Sequence, residues 1–222
     1  MEKHIVKIIS VEPVTHDVKL FTVQKPEGYK FKPGQATEMS INTDALKNEK
    51  RPFTFTSLNE HEHLQFTIKI YDSHDGVTKE LGKLKHGDEL IIRDVWGAIE
   101  YKGAGVFIAG GAGVTPFIAI IRQLDADNKI GHNTLIFTNK TKKDIIMEKE
   151  FTEILGANFI NTLTDEKREG YDNRHIDKAF LKEKIIDFKQ HFYVCGPPPF
   201  VEAVSKALTS LGAETDAVVF EK

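Results

Sequence analysis

Cysteine is almost missing from this chain: its 222 residues contain one, Cys195. A single thiol excludes a disulfide framework and an iron–sulfur cluster held by cysteines within these residues. An excess of one charge is missing too. Thirty basic against 33 acidic residues leave a net charge of −3 and a pI near 6.3, so no nucleic-acid partner is expected. No apolar run approaches the roughly 20 residues of a membrane span. Met1-Glu2-Lys3-His4 leads directly into an alternating segment, without the pattern of a signal peptide. The expectation is therefore a cytoplasmic protein with no membrane partner. A catalytic-looking constellation of histidines and carboxylates is also wanting. The nine histidines, His61 and His63 among them, sit in polar loop sequence, and no metal is expected.

What is present is ordinary soluble-protein composition, 40% hydrophobic and 28% charged, at a length that suits two domains of about 100 residues each. The chain is expected to act as a monomer. Residues 1–101 read as strands at Ile5–Ile9, Val18–Val23, Thr37–Ile41, Arg51–Ser57, Leu64–Tyr71 and Glu89–Arg93. Turn clusters such as Pro26-Glu27-Gly28 and His86-Gly87-Asp88 separate them, and one helix is expected over Val77–Leu84. Short strands at this spacing favour an antiparallel barrel. From residue 102 onward, strands at Val106–Ala109, Thr134–Thr138, Ala157–Asn161, His191–Val194 and Ala217–Phe220 alternate with helices at Pro116–Leu124, Ile145–Leu155, Asp177–Ile186 and Pro199–Leu211. That alternation predicts a doubly wound parallel sheet, with Lys102-Gly103-Ala104-Gly105 as the linker.

Gly110-Gly111-Ala112-Gly113-Val114-Thr115-Pro116 is the most informative stretch, because a buried strand precedes it and a helix follows it. A glycine-rich turn there lets the backbone approach a bulky anion, and the helix start offers unpaired N–H groups to it. A tight turn whose glycines only serve packing is the alternative. Arg51-Pro52-Phe53-Thr54-Phe55-Thr56-Ser57 is the second such stretch. Arg51 carries a planar fork suited to phosphate, and an aromatic beside hydroxyls could floor a flat, polar-edged ring. An ordinary barrel strand with a surface arginine fits the same residues.

In combination these stretches resemble the ferredoxin–NADP reductase superfamily. Its flavin motif Arg-x-Tyr-Ser/Thr is matched by Arg51-Pro52-Phe53-Thr54, its pyridine-nucleotide motif Gly-Gly-x-Gly-x-Thr-Pro by residues 110–116, and its late motif Cys-Gly-Pro-x-x-Met/Phe by Cys195-Gly196-Pro197-Pro198-Pro199-Phe200. The resemblance implies an antiparallel flavin-binding barrel over 1–101 and a parallel-sheet nucleotide-binding domain over 102–222. It implies FAD and either NADPH or NADH as cofactors, in an enzyme passing electrons to flavodoxin, ferredoxin or an oxygenase component. A free-flavin reductase, a subgroup with the similar motif Arg-Pro-Phe-Ser, is the alternative.

The same resemblance assigns roles residue by residue. Arg51 would bind flavin phosphates, Phe53 would stack on the isoalloxazine in place of the usual tyrosine, and Thr54 would place a hydroxyl near the ring nitrogen that accepts the hydride. Ile68, Lys69 and Ile70 would border the flavin through backbone, and Gly76, Val77 and Thr78 would form a second phosphate loop. Gly111, Ala112, Gly113, Val114, Thr115 and Pro116 would hold the nucleotide pyrophosphate. Cys195 would sit beside the nicotinamide, with Gly196 and Pro197 letting the chain pass close to the nucleotide. Phe220 would shield the flavin or serve simply as a strand residue, and Glu221 would stand near the flavin as an acid. Trp96, where the family has a Gly-Pro turn, is expected to pack at the domain junction. Lys140, Lys142, Lys143 and Arg174 could meet a 2′-phosphate, which leans the reading to NADPH, although Asn-x-Thr-x-x-Asp-Ile at 139–145 resembles NADH-using relatives. Lys47, Lys50, Lys69, Lys79 and Lys83 are the candidates for a basic surface that would dock an acidic protein acceptor.

Overall fold

The computed structural model describes residues 2–72, 76–97, 99–214 and 218–220, the last three by backbone alone. Six strands come first: β1 (His4–Pro13), β2 (Val18–Gln24), β3 (Ala36–Ile41), β4 (Arg51–Thr54), β5 (His63–Lys69) and β6 (Glu89–Trp96), with a short helix α1 (Val77–Leu81) before β6. They pair antiparallel in the order β4-β3-β6-β1-β2-β5. The alternation in sequence is the alternation of faces: Val6 and Ile8 are buried while Ile5 and Lys7 beside them are exposed. Beyond β4 the chain draws the two sheet edges together, because Thr56 N donates to the Gln65 carbonyl at 2.8 Å and Gln65 N to Ser57 Oγ at 3.0 Å. The resulting barrel encloses Phe21, Met39, Phe55 and Phe66, all without exposed surface.

The second half is β7 (Gly105–Gly110), α2 (Thr115–Ala126), β8 (Thr134–Asn139), α3 (Glu148–Leu155), β9 (Phe159–Leu163), α4 (Lys178–Lys184), β10 (His191–Cys195), α5 (Pro198–Ser210) and β11 (Val218–Phe220). Its strands are parallel, in the order β11-β10-β7-β8-β9. β7 is central and covered on both faces, which is why its sequence is apolar without interruption. Phe107 and Ala109 pack with α2 and α3, whereas Val106 and Ile108 pack with α4 and α5. Fully burying a side chain such as Phe107 contributes about 1.5–3 kcal/mol.

The linker between the sheets is tied down. The Tyr193 hydroxyl on β10 accepts from Lys102 N at 2.9 Å and Gly103 N at 3.0 Å, and donates to the Gly103 carbonyl at 2.8 Å. Several boundaries differ from the sequence expectation, each for a local reason. The strand expected over 157–161 is β9, two residues later, because Gly156 at φ +55° starts a 3₁₀ turn through Asn158. Helix α3 begins at Glu148 rather than Ile145, since Met147 is left-handed; Ile145 and Ile146 instead plug the core. The strand begun at Arg51 stops at Thr54, and α1 stops at Leu81, where a Cβ on Gly82 would press on Ile70 Cγ2 at 2.8 Å. α4 ends at Lys184, two residues short, and leaves Ile186 fully exposed.

Candidate functional site

In the parallel sheet the chain runs outward from β7 through β8 to β9, then returns to the other side of β7 as β10. Where the direction reverses, loops leave β7 and β10 on opposite faces and a crevice opens. A cleft of about 1120 Å³ lies there, at the C-terminal ends of the strands. Gly110–Gly113 and Thr115 form one side and Cys195–Pro198 with Phe200 the other. Thr138–Thr141, Lys143, Thr164 and Asp165 make the outer wall, and His16, Asp17, Lys69 and Tyr71 of the barrel close it. The structure thus brings Lys69, Gly111, Ala112, Gly113, Thr115, Lys140, Cys195, Gly196 and Pro197 to one place from four loops and two domains.

The glycine turn is shaped for close approach. Gly111 has φ +53° and open space where a Cβ would stand. Gly113 is packed so closely on the end of β10 that a Cβ would come 2.5 Å from Gly196 Cα and nearer still to the Cys195 carbonyl oxygen. Residues Gly111–Val114 form a 3₁₀ turn running into α2. The leading N–H groups of such a segment have no intrahelical partner and sit at its positive end. Val114 and Pro116 are buried beneath the turn and support it rather than line the cleft. The Thr115 hydroxyl, expected to face an anion, donates to the Ala112 carbonyl at 3.1 Å and so also braces the turn. Thr115→Val should therefore lower dinucleotide affinity about tenfold, the ~1.5 kcal/mol of one lost hydrogen bond, with flavin content unchanged in a titration followed by flavin absorbance. Flavin lost while nucleotide affinity holds would refute this division of labour between the domains.

Sequence reasoning gave no role to Asn139, the last residue of β8. It lines the cleft at 6% exposure, and neither its amide nitrogen nor its amide oxygen has a protein partner. A buried amide left unpaired is expensive, by roughly 1–3 kcal/mol, so a polar ligand in the cleft fits it. The open side of Gly111 fits a phosphate in the same way. The available signal was an amide side chain ending a strand whose centre, Leu135–Phe137, is apolar and buried.

On the barrel side Lys69 Nζ lies 2.8 Å from Asp17. Burial raises the Asp17 pKa, but the hydrogen bond and charge of Lys69 outweigh it and hold the carboxyl below its usual range. His16 stands 3.7 Å from Asp17 and 3.6 Å from Asp144, across the domain boundary. His16, Asp17 and Asp144 gather potential ligand atoms within 4.8 Å of one another, yet the Lys69 ammonium already supplies the positive charge.

Arg51, Pro52, Phe53 and Thr54 form β4, outside the lining of the cleft. Arg51 is exposed and donates to the Lys50 carbonyl at 2.6 Å; among the described residues no carboxylate pairs with it, so its fork fits a phosphate. Phe53 is half-buried against the barrel core, and Thr54 is half-buried opposite Ala36, which itself lies opposite Trp96. Trp96, expected to pack at the junction, is 39% exposed. β6 stays extended through it, and because Val95 packs on the core, Trp96 emerges on the other face. Ile68 and Ile70 are buried in the barrel core, and the Ile70 amide donates to the Asp17 carbonyl at 2.7 Å. Gly76 is extended before α1, Val77 is buried and Thr78 half-buried. Phe220 pairs by backbone with Val194, and Glu221 lies outside the described residues.

Of the five lysines expected to dock an acceptor, Lys79 among them, four are already paired with carboxylates. Lys47 pairs with Asp44, Lys50 with Glu38, Lys83 with Glu80 and Lys69 with Asp17 inside the cleft. Among the described residues no helix is long and apolar enough to cross a membrane.

Comparison with known proteins agrees with both halves. The oxidoreductase FAD-binding domain family matches residues 5–101, and the oxidoreductase NAD-binding domain family matches residues 107–206. NADH-cytochrome b5 reductase 2 of Mycosarcoma maydis is 31% identical over 219 residues, 88% of this chain and 62% of that protein. The reductase component of propane 2-monooxygenase from Rhodococcus jostii is 26% identical over 97% of this chain and 62% of its own length. The chain thus spans a little under two thirds of these relatives. A ferredoxin NADP+ reductase from Neisseria gonorrhoeae, solved with FAD and NADP, superposes with a TM-score of 0.87 at 18% identity, covering 100% of this chain and 98% of that one. With a flavin half and a nucleotide half each matched in order, and the glycine cradle set at the switch point of the nucleotide half, this chain belongs to the ferredoxin–NADP reductase superfamily of FAD- and NAD(P)-binding oxidoreductases.

Proposed function

We propose that this chain takes electrons from NADH in the cleft and delivers them, by way of FAD on the barrel, to a one-electron acceptor protein. The observation that carries this reading is the cleft, where a glycine cradle and an unpaired buried amide face residues of the flavin-binding half. A bound FAD supplies the conversion of a two-electron donor into single-electron steps. The protein contributes binding and orientation. Gly111 to Thr115 hold the pyrophosphate of the donor, while Cys195, Gly196, Pro197 and Phe200 pack its nicotinamide end. Arg51 and the Gly76–Thr78 turn hold flavin phosphates, Phe53 and the backbone at 68–70 border the ring, and Thr54 presents its hydroxyl. The second phosphate turn favours a dinucleotide flavin held by the protein over a free flavin used as substrate.

NADH is favoured over NADPH by the state of the four cations near the outer wall. Arg174 is engaged by Asp172 and Glu183, each at 2.8 Å. Lys142 lies over the Tyr171 ring at 5.7 Å. Lys140 and Lys143 remain on the wall, but Asp144 and Asp165 stand on it too and would oppose a 2′-phosphate. The names of the two relatives point to a haem protein or an oxygenase component as acceptor; flavodoxin and ferredoxin belong to the same class of one-electron partner.

Purified protein should be yellow and keep FAD through gel filtration. NADH should reduce it at least tenfold more efficiently than NADPH, and the reduced protein should pass electrons to cytochrome b5, an oxygenase component or ferredoxin. Colourless protein that reduces only added flavin would overturn the proposal in favour of a free-flavin reductase.

A further inference from the structure

One side chain joins the nucleotide helix to the flavin strand. Arg122 sits on α2, seven residues after Thr115, about 10 Å along the helix from the end that faces the cleft. It is only 18% exposed. Its Nε and one terminal nitrogen meet the two carboxylate oxygens of Glu150 on α3 at 2.5 and 2.8 Å. The other terminal nitrogen leaves the domain altogether and donates to the Thr56 carbonyl at 2.6 Å, with Gln65 Oε1 at 3.4 Å beside it.

Thr56 is a fixed point of the barrel. Its amide donates to the Gln65 carbonyl at 2.8 Å, and its hydroxyl lies 3.2 Å from that of Thr67. It follows Thr54 by two residues, so whatever holds the Thr56 carbonyl also sets the place of Thr54. An exposed ion pair would count for little. This one is largely buried and bidentate, and Glu150 holds the guanidinium plane so that its remaining nitrogen points at the neighbouring domain.

We infer that Arg122, aimed by Glu150, is a positioning residue that fixes the nucleotide helix against the flavin strand and so sets the separation of hydride donor and acceptor. The inference rests on the function proposed above. It predicts a particular fault. Loss of the clamp leaves each cofactor site intact within its own domain but misplaces one relative to the other, and a displacement of about 1 Å can slow a reaction as much as a hundredfold.

The test uses the full chain with FAD bound and four variants: Arg122→Ala, Arg122→Lys, Glu150→Gln and, as a control beside Glu150 on α3, Lys149→Ala. Five quantities are measured: the FAD-to-protein ratio, the rate of flavin reduction at saturating NADH, the NADH dissociation constant, amide exchange of residues 55–58 and 115–122, and the melting temperature. Arg122→Ala should slow reduction at saturating NADH at least tenfold, with FAD content and NADH affinity within about threefold of wild type. Exchange of those two segments should quicken in the same variant. Glu150→Gln should move in the same direction by less, and Arg122→Lys should rescue part of the rate, because an ammonium can meet one anchor but not both. Lys149→Ala should match wild type. A lowered melting temperature with a wild-type rate at saturation would overturn the inference, as would a defect removed by raising NADH. If Arg122→Ala does not fold, wild-type rates in both Arg122→Lys and Glu150→Gln overturn it equally. Wild-type protein that binds FAD but ignores NADH would instead overturn the proposed function, and the clamp with it.

Discussion

Gly113→Ala should lower kcat/KM for NADH about a hundredfold while leaving FAD in place. A methyl group there would overlap the Cys195 carbonyl and Gly196 Cα, both backbone atoms that no side-chain rotation can move aside. Either the turn lifts away or the end of β10 retreats, and both surfaces belong to the cleft. A hundredfold corresponds to ~2.7 kcal/mol at 1.36 kcal/mol per decade. Overpacking of this kind also destabilises by about 1–3 kcal/mol, so the melting temperature should fall by several degrees. Gly111→Ala is the informative contrast, because its Cβ meets nothing and it bears only the strain of φ +53°, about 1–2 kcal/mol. Steady-state kinetics and the flavin-to-protein ratio of the two variants check this. A Gly113→Ala enzyme within threefold of wild type would mean that the turn is not where the dinucleotide lies.

Arg51→Ala should have the opposite signature. The side chain is exposed, and among the described residues it donates to the carbonyl of its own neighbour, Lys50. Its loss should change folding stability by no more than about 0.5 kcal/mol, as at most surface positions. A charge-assisted hydrogen bond to phosphate is worth about 1.5–3 kcal/mol, and the loss of one such bond sets the scale. FAD affinity should therefore fall by ten- to a hundredfold. Dialysis followed by flavin absorbance gives the affinity, and melting of the apoprotein gives the stability. Full FAD after exhaustive dialysis would remove Arg51 from the flavin site.

Local signals carried most of the architecture. Val106–Ala109 could be read as a strand covered on both faces because no polar residue interrupts it, and the glycines after it marked the turn at the switch point. Features that depend on one residue's backbone sign were not legible. Nothing in the residue name Met147 announces a left-handed conformation, yet it sets the start of α3. Gly156 reads as an ordinary glycine, yet it moves β9 by two residues. Contacts between distant segments were equally hidden. Arg122 looks like a helix-surface arginine until Thr56, 66 positions earlier, is seen beside it. The lysines that suggested a basic patch lost that meaning once Asp44, Glu38, Glu80 and Asp17 were found against them. Asn139 was visible as a polar strand end, but only the fold shows that its amide has no protein partner.

The Tyr193 hydroxyl bears on how portable the two halves are. A recombinant joined after Gly105 takes its linker from the parent of the flavin half, but the group that holds the linker arrives some 90 residues later on β10. A foreign nucleotide half with phenylalanine at that position would strand two amides and one carbonyl of the joint, although each half would still fold around its own core. Chimeras should therefore transfer activity when residues 102–105 and Tyr193 come from the same parent, and give two well-folded but poorly coordinated halves when they do not.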